Sequence, residues 1–169
     1  MIIRKPYFYI FVITLYSSLF YSSSVTSLNP KSMDDLKHWK KGSVKIQVDG
    51  NEGLELKVLI AGSNKERRQG LMHIEFMEED QGMLFIFKPA RKVSMWMRNT
   101  PLTLDMIFID RDGKIINIAK NTTPYSTKGI SSGGPISWVL EVNGGLSERI
   151  NIKTGDLVSL KPIEDLDGE

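Results

Sequence analysis

Cysteine is absent from this 169-residue chain, and histidine occurs only twice, as His38 and His73. The first absence excludes a disulfide framework, a lipid-modified N-terminal cysteine, thiolate metal sites and a cysteine nucleophile. The second leaves almost nothing from which to build a serine triad or a multi-histidine metal centre, since His38 lies in a stretch of linker composition. No Gly-rich phosphate loop, no serine nucleophile elbow and no His-Glu-x-x-His zinc helix occurs. An excess of charge of one sign is also missing, with 22 Lys and Arg against 20 Asp and Glu. Nothing in that balance attracts nucleic acid or an anionic membrane. No metal, no cofactor and no catalytic residue is therefore expected.

Long apolar runs are scarce as well. Arg4 and Lys5 precede an apolar stretch from Tyr7 to Leu15 and on to Phe20, and the small residues Ser22 to Ser27 follow. That is the order of a secretory signal peptide, and the run is too short and too diluted by Thr14, Ser17 and Ser18 for a membrane span of roughly 20 apolar residues. The reading is a signal peptide over residues 1–27, with cleavage after Ser27, and export to the periplasm or the extracellular space if the source is bacterial. An uncleaved anchor is the alternative. Cleavage would leave 142 residues with 20 basic and 20 acidic side chains, enough for one domain with its own core. Residues 28–43 read as a linker with one helical turn, 44–161 as a single β-rich domain, and 162–169 as an acidic, frayed tail.

Within the domain the dominant period is two. Val44, Ile46 and Val48 alternate with Lys45 and Gln47, and Leu54, Leu56, Val58 and Ile60 alternate with Glu55 and Lys57, predicting two half-buried strands joined at Asp49-Gly50-Asn51. Ser63-Asn64-Lys65-Glu66 has capping-box spacing, which predicts a short helix from Asn64 to about Gln69, stopped at Gly70. Residues Gly82 to Phe87 are apolar on both faces, as in a strand covered from both sides. Further strands are predicted over Val93–Met97, Leu104–Asp110, Lys114–Lys120, Trp138–Asn143 and Gly155–Leu160. Residues Asn121–Ser137 lack periodicity, and loops of that length are usually functional. The fold class is mainly β: a small barrel or sandwich-like domain of about eight short strands and one short helix.

Polar side chains concentrate where strands end. Trp96 and Arg98 are two apart and share a face, an aromatic plane beside a guanidinium fork suited to a planar or hydroxylated ligand. On spacing alone the plainer account outweighs this one: Trp96 covers a barrel end and Arg98 pairs with a carboxylate. Asp105 shares its strand face with Ile107 and Ile109, and Glu141 shares its face with Val139. Acids among such neighbours need partners or lose their charge. Two acids in apolar strands are raw material for glycosidase-type chemistry. Structural ion pairs to Arg67 and Arg98 are the favoured alternative. The many methionines, Met72 beside His73 among them, could bind Cu(I) but fit better as core filler.

Gly70-Leu71-Met72, the run Gly82 to Phe87, Trp96-Met97-Arg98-Asn99-Thr100, Leu104-Asp105 and Val139-Leu140-Glu141 stand in an order that resembles the family called domain of unknown function 192. The resemblance covers about Val44 to Leu160 and implies a compact β-barrel-like domain, often exported, without an assigned reaction. Its signature residues here are Gly70, Met72, Gly82, Met83, Trp96, Met97, Asn99, Thr100, Asp105 and Glu141. Met95 stands where an aromatic residue is common, and Arg98 where Lys is usual.

Two functions follow, and a third is carried beside them. The leading one is a non-enzymatic binding or accessory module of the cell envelope, with Trp96, Arg98, Asn99, Thr100, Asp105 and Glu141 as ligand-binding residues and a small polar ligand or an envelope component as partner. The alternative is a hydrolase with Asp105 and Glu141 as general acid and base. An interaction protein would instead expose an apolar patch, to which Ile130, Pro135 and Ile136 could contribute. Asp105 itself is expected to be a buried structural acceptor. The sequence leaves the oligomeric state open.

Overall fold

A computed structural model describes residues 31–48 and 51–160. The segment expected to be a signal peptide, the opening of the expected linker, the turn at 49–50 and the acidic tail lie outside the described residues.

Nine strands form the described structure: β1 (Lys41–Val48), β2 (Asn51–Ala61), β3 (Gln81–Arg91), β4 (Ser94–Met95), β5 (Leu104–Ile109), β6 (Ile115–Ala119), β7 (Ile130–Ser131), β8 (Ile136–Asn143) and β9 (Leu157–Leu160). Seven of them make one sheet in the order β6-β5-β8-β3-β2-β1-β9, and β4 pairs with β7 apart from it. Neighbours in the large sheet are antiparallel except β2 and β3, which run parallel. The sheet curls into a half-barrel. Its two edge strands approach at one end, where Lys114 bridges to Leu157 and Ile115 N–H donates to the Asp156 carbonyl at 2.9 Å.

The curl gives the sheet two apolar faces. On the enclosed face Val44, Ile46, Leu56, Val58, Ile60, Leu84, Ile107, Leu140 and Val142 pack together. On the outer face Leu59, Met83, Phe85, Met106, Phe108 and Val139 are covered by Leu71, Ile74, Met77 and Met97 from the connections. Strands β3, β5 and β8 lie at the centre and are buried on both sides, which is why their sequences are apolar at successive positions rather than at alternate ones. The parallel step from β2 to β3 requires a crossover, and residues 62–80 supply it over the outer face, carrying helix α1 (Asn64–Gln69).

Three expectations are corrected here. The described part of the linker belongs to the domain: Ser32 caps a 3-10 turn, Met33–Leu36, and Met33, Leu36 and Trp39 are buried in the outer core. Their spacing of three places all three on one side of the turn, a signal that the charged residues between them mask. The aperiodic segment 121–137 contains β7, and Ile136 is buried while Ile130 packs against the outer core, so the apolar loop patch does not form. A second helix, α2 (Leu146–Arg149), follows Gly145, whose φ of 82° only glycine adopts readily.

Candidate functional site

Helix α1 begins as its capping box dictates. Ser63 Oγ accepts from Glu66 N–H at 3.2 Å, and the Glu66 carboxylate accepts from Ser63 N–H at 2.7 Å and Gly62 N–H at 3.0 Å. Those backbone bonds, first the one from Ser63, hold the Glu66 carboxyl below its ordinary range. The helix ends at Gly70, where a side chain would meet the Phe85 ring at 3.2 Å on a backbone with φ of 48°. Arg67 is anchored to the sheet through the Ile86 carbonyl (2.8 Å), to the Gly62 carbonyl and to Asn64 Oδ1 (2.6 Å), and it lies over the Phe87 ring. One rigid wall of a pocket results.

The opposite wall is the segment from Ser94 to Thr100. Pairing of β4 with β7, the bond from Met97 N–H to the Ser126 carbonyl and that from Tyr125 N–H to the Thr100 carbonyl fix it along its length. Asn99 takes a left-handed conformation (φ 55°), and its carbonyl accepts from His73 N–H at 2.8 Å. Trp96 is 45% exposed, and the Arg98 guanidinium stacks on its ring at 4.8 Å. This stack holds a long cation in place without neutralising it.

Between the walls lies a cavity of about 190 Å³, lined by Arg67, Arg68, Met72, Phe85, Phe87, Trp96, Arg98, Thr100 and Glu141. Glu141 is 4% exposed, and its cross-strand neighbours are Met83 on β3 and Met106 on β5. No hydrogen bond or ion pair reaches its carboxyl from the described residues. Burial alone pushes that carboxyl up to about 8, so it keeps its proton at neutral pH.

Asp105 is placed elsewhere. It pairs with Val142 while Glu141 pairs with Met106, so the pleat sends the two acids to opposite faces of the sheet. Its Oδ1 accepts from Asn121 N–H (2.8 Å) and Gly145 N–H (3.1 Å), and its Oδ2 accepts from Ser147 N–H (2.9 Å) at the start of α2. The side chain is fully buried and works as a structural acceptor. A general acid and base need a common cleft, with carboxyl groups about 5 to 10 Å apart on one side of the substrate or across it. A pair on opposite faces of one sheet has no such cleft, which corrects the hydrolase alternative. The ion pairs to Arg67 and Arg98 are corrected too: Asp105 takes backbone donors instead, Arg67 is spent on carbonyls, and Arg98 on Trp96.

Of the six residues singled out, Trp96, Arg98, Thr100 and Glu141 thus line one pocket, while Asp105 faces away from it. Asn99 shapes the wall from behind, its amide 4.0 Å from the Met72 sulfur. The contribution of α1 was missed, above all Arg68. Its signal was the capping box that starts a helix carrying Arg67 and Arg68 in its last turn, but only the crossover brings that helix beside Trp96. A second hollow, lined by Met33, Asp34, Lys37, Lys41 and Lys57, holds surface cations without a buried polar group, and Lys57 already meets Asp80 at 2.7 Å. No cluster of potential metal ligands occurs among the described residues.

Comparison with known proteins gives the same architecture. A solved structure from Sinorhizobium meliloti 1021, provisionally described as a transcription regulator, is 39% identical and superposes with a TM-score of 0.71 over 72% of this chain and 95% of that one. A protein of unknown function from Novosphingobium aromaticivorans DSM 12444 is 35% identical, with a TM-score of 0.67 over 69% and 83% of the two chains. No curated protein matches. Residues 44–160 match the profile of DUF192, described as an uncharacterized ACR. With the half-barrel, the two similar structures and that match over most of its length, the chain belongs to the domain of unknown function 192 family.

Proposed function

We propose that this protein is a non-enzymatic binding module of the cell envelope, and that its pocket takes a small anionic ligand. The observation that carries the reading is the charge arrangement around the cavity. Arg68 and Arg98 stand at its rim and meet no carboxylate among the described residues, while the one acid in the lining, Glu141, is neutral at pH 7. Such a pocket offers positive potential with no compensating negative charge, and an anion completes it. The envelope location rests on the order of basic, apolar and small residues over 1–27. The regulator description belongs to the Sinorhizobium protein; a sensing role would use the same pocket.

The test starts from protein recovered from the periplasmic fraction of an expressing bacterium, whose intact mass is expected to lack about the first 27 residues. Thermal-shift screening against carboxylates, phosphate, neutral sugars and cations should raise the melting temperature with anions only, and Arg98→Ala should remove the effect. Stabilisation by sugars or cations but not by anions would overturn the reading.

A further inference from the structure

Glu141 stands at a place where a carboxyl group has no internal reason to be. Its strand neighbours in register are the thioethers of Met83 and Met106, Val139 shares its face, and Phe85 and Phe87 line the same cavity. Gly82 lets β3 approach β8 so closely that an added side chain would come within 2.7 Å of the Glu141 carbonyl. None of these groups donates a side-chain hydrogen bond. A buried polar group normally finds its partner within the fold, and Asp105 on the next strand has three. Glu141 lines the cavity, so a partner for its carboxyl can come from there.

We propose that Glu141 is the specificity-determining residue of the pocket: its carboxyl donates a hydrogen bond to an uncharged oxygen acceptor of a small carboxylate whose anionic end is held by Arg98 and Arg68. This rests on the anion-binding reading above. The charged groups lining the cavity are Arg67 and Arg68 from α1 and Arg98 from the opposite wall; Arg91 of β3 lies over the Phe87 ring outside the lining, and β5 contributes none. Three cations exclude a cationic ligand, which would otherwise be the natural partner of a carboxylate. An ionised Glu141 would repel the anion that the rim attracts. A protonated carboxyl does the opposite, presenting an O–H to a carbonyl oxygen at the inner end of the ligand. The raised pKa agrees with that assignment, and it sets the range over which the donor exists. The ligand class that fits is a short oxo-acid, with a carboxylate at one end and a carbonyl a few atoms away.

The experiment compares 4-oxopentanoate with pentanoate, two anions that differ in the carbonyl oxygen, by calorimetric titration of the parent, Glu141→Gln and Glu141→Leu proteins. Measurements at about pH 6 and about pH 10 bracket the Glu141 titration. At the lower pH the parent should prefer the oxo-acid roughly tenfold, the worth of one well-placed hydrogen bond, and at the higher pH it should lose the preference. Glu141→Gln, whose amide donates at either pH, should keep the preference at both. Glu141→Leu should bind the two anions alike. A preference that persists in Glu141→Leu, or one that Glu141→Gln abolishes at the lower pH, would overturn the donor role and leave the anion pocket standing. If neither anion binds the parent, the pocket reading falls and this proposal with it.

Discussion

Asp105 and Glu141 lie on adjacent strands, one step apart in register, and both are buried carboxyl groups, yet they have opposite surroundings. Asp105 accepts three backbone N–H bonds and ties β5 to the loop before α2. Glu141 accepts none from the described residues and faces a cavity rimmed by arginines. Burial alone therefore says little about what an acid does. The donors around it decide: where they are supplied, the group is a structural tie, and where they are withheld, the group holds its proton and can offer it to a ligand.

The largest expected effect tests the structural half of the pair. Asp105→Ala strips the partner from three backbone donors, two of them at the turn into α2, and each unsatisfied buried N–H costs about 1 to 3 kcal/mol. A loss of roughly 3 to 5 kcal/mol is expected in urea unfolding, a large part of the stability of a domain this size. If that variant unfolds like the parent, Asp105 is no structural tie and the contrast with Glu141 dissolves.

The next effect is spread over several pH units, so that it is smaller at any one step, and belongs to Glu141. Its carboxyl titrates near 8 in the folded protein against an ordinary value of 4.5, so the folded state binds the extra proton between these limits. The folded state's advantage is present in full below about 4.5 and is lost as pH rises through about 8, a change on the order of 5 kcal/mol. Glu66, held low by the bonds from Ser63 and Gly62, acts in the other direction and only at the acid end, where its contribution is lost as pH falls below the usual carboxylate range. Unfolding free energies measured across pH 5 to about 9 should thus decline in the parent and stay nearly level in Glu141→Gln. A level parent curve would show that Glu141 has a partner in solution.

The smallest expected effect sharpens the comparison from the pocket wall. Ser63→Ala removes the hydroxyl half of the capping box and should cost about 1 kcal/mol, because a single N-cap bond is lost while Glu66 still accepts from the backbone. Hydrogen exchange should quicken in α1 before it does in β8, since α1 makes few contacts beyond the Arg67 anchor whereas β8 is central in the sheet.

Local regularities were legible in the chain itself. Alternation of apolar residues marked β1 and β2, the unbroken run from Met83 to Phe87 marked a strand covered on both faces, and Ser63 with Glu66 marked the start of α1, because period and cap chemistry act over a few residues. The residues that share a strand face with each acid, Ile107 and Ile109 with Asp105 and Val139 with Glu141, were also written there, but that the two faces are opposite follows only from the register of β5 on β8. What a single chain of letters could not supply was which strand lies beside which. The parallel pairing of β2 with β3 and the antiparallel insertion of β8 between β3 and β5 join residues far apart in sequence. Only that order carries α1 and its arginines over to Trp96, closes the cavity between them, and gives Asp105 three donors while leaving Glu141 with none. Long-range pairing is chosen by the fit of two whole apolar faces, a property of the assembled sheet that no local segment contains.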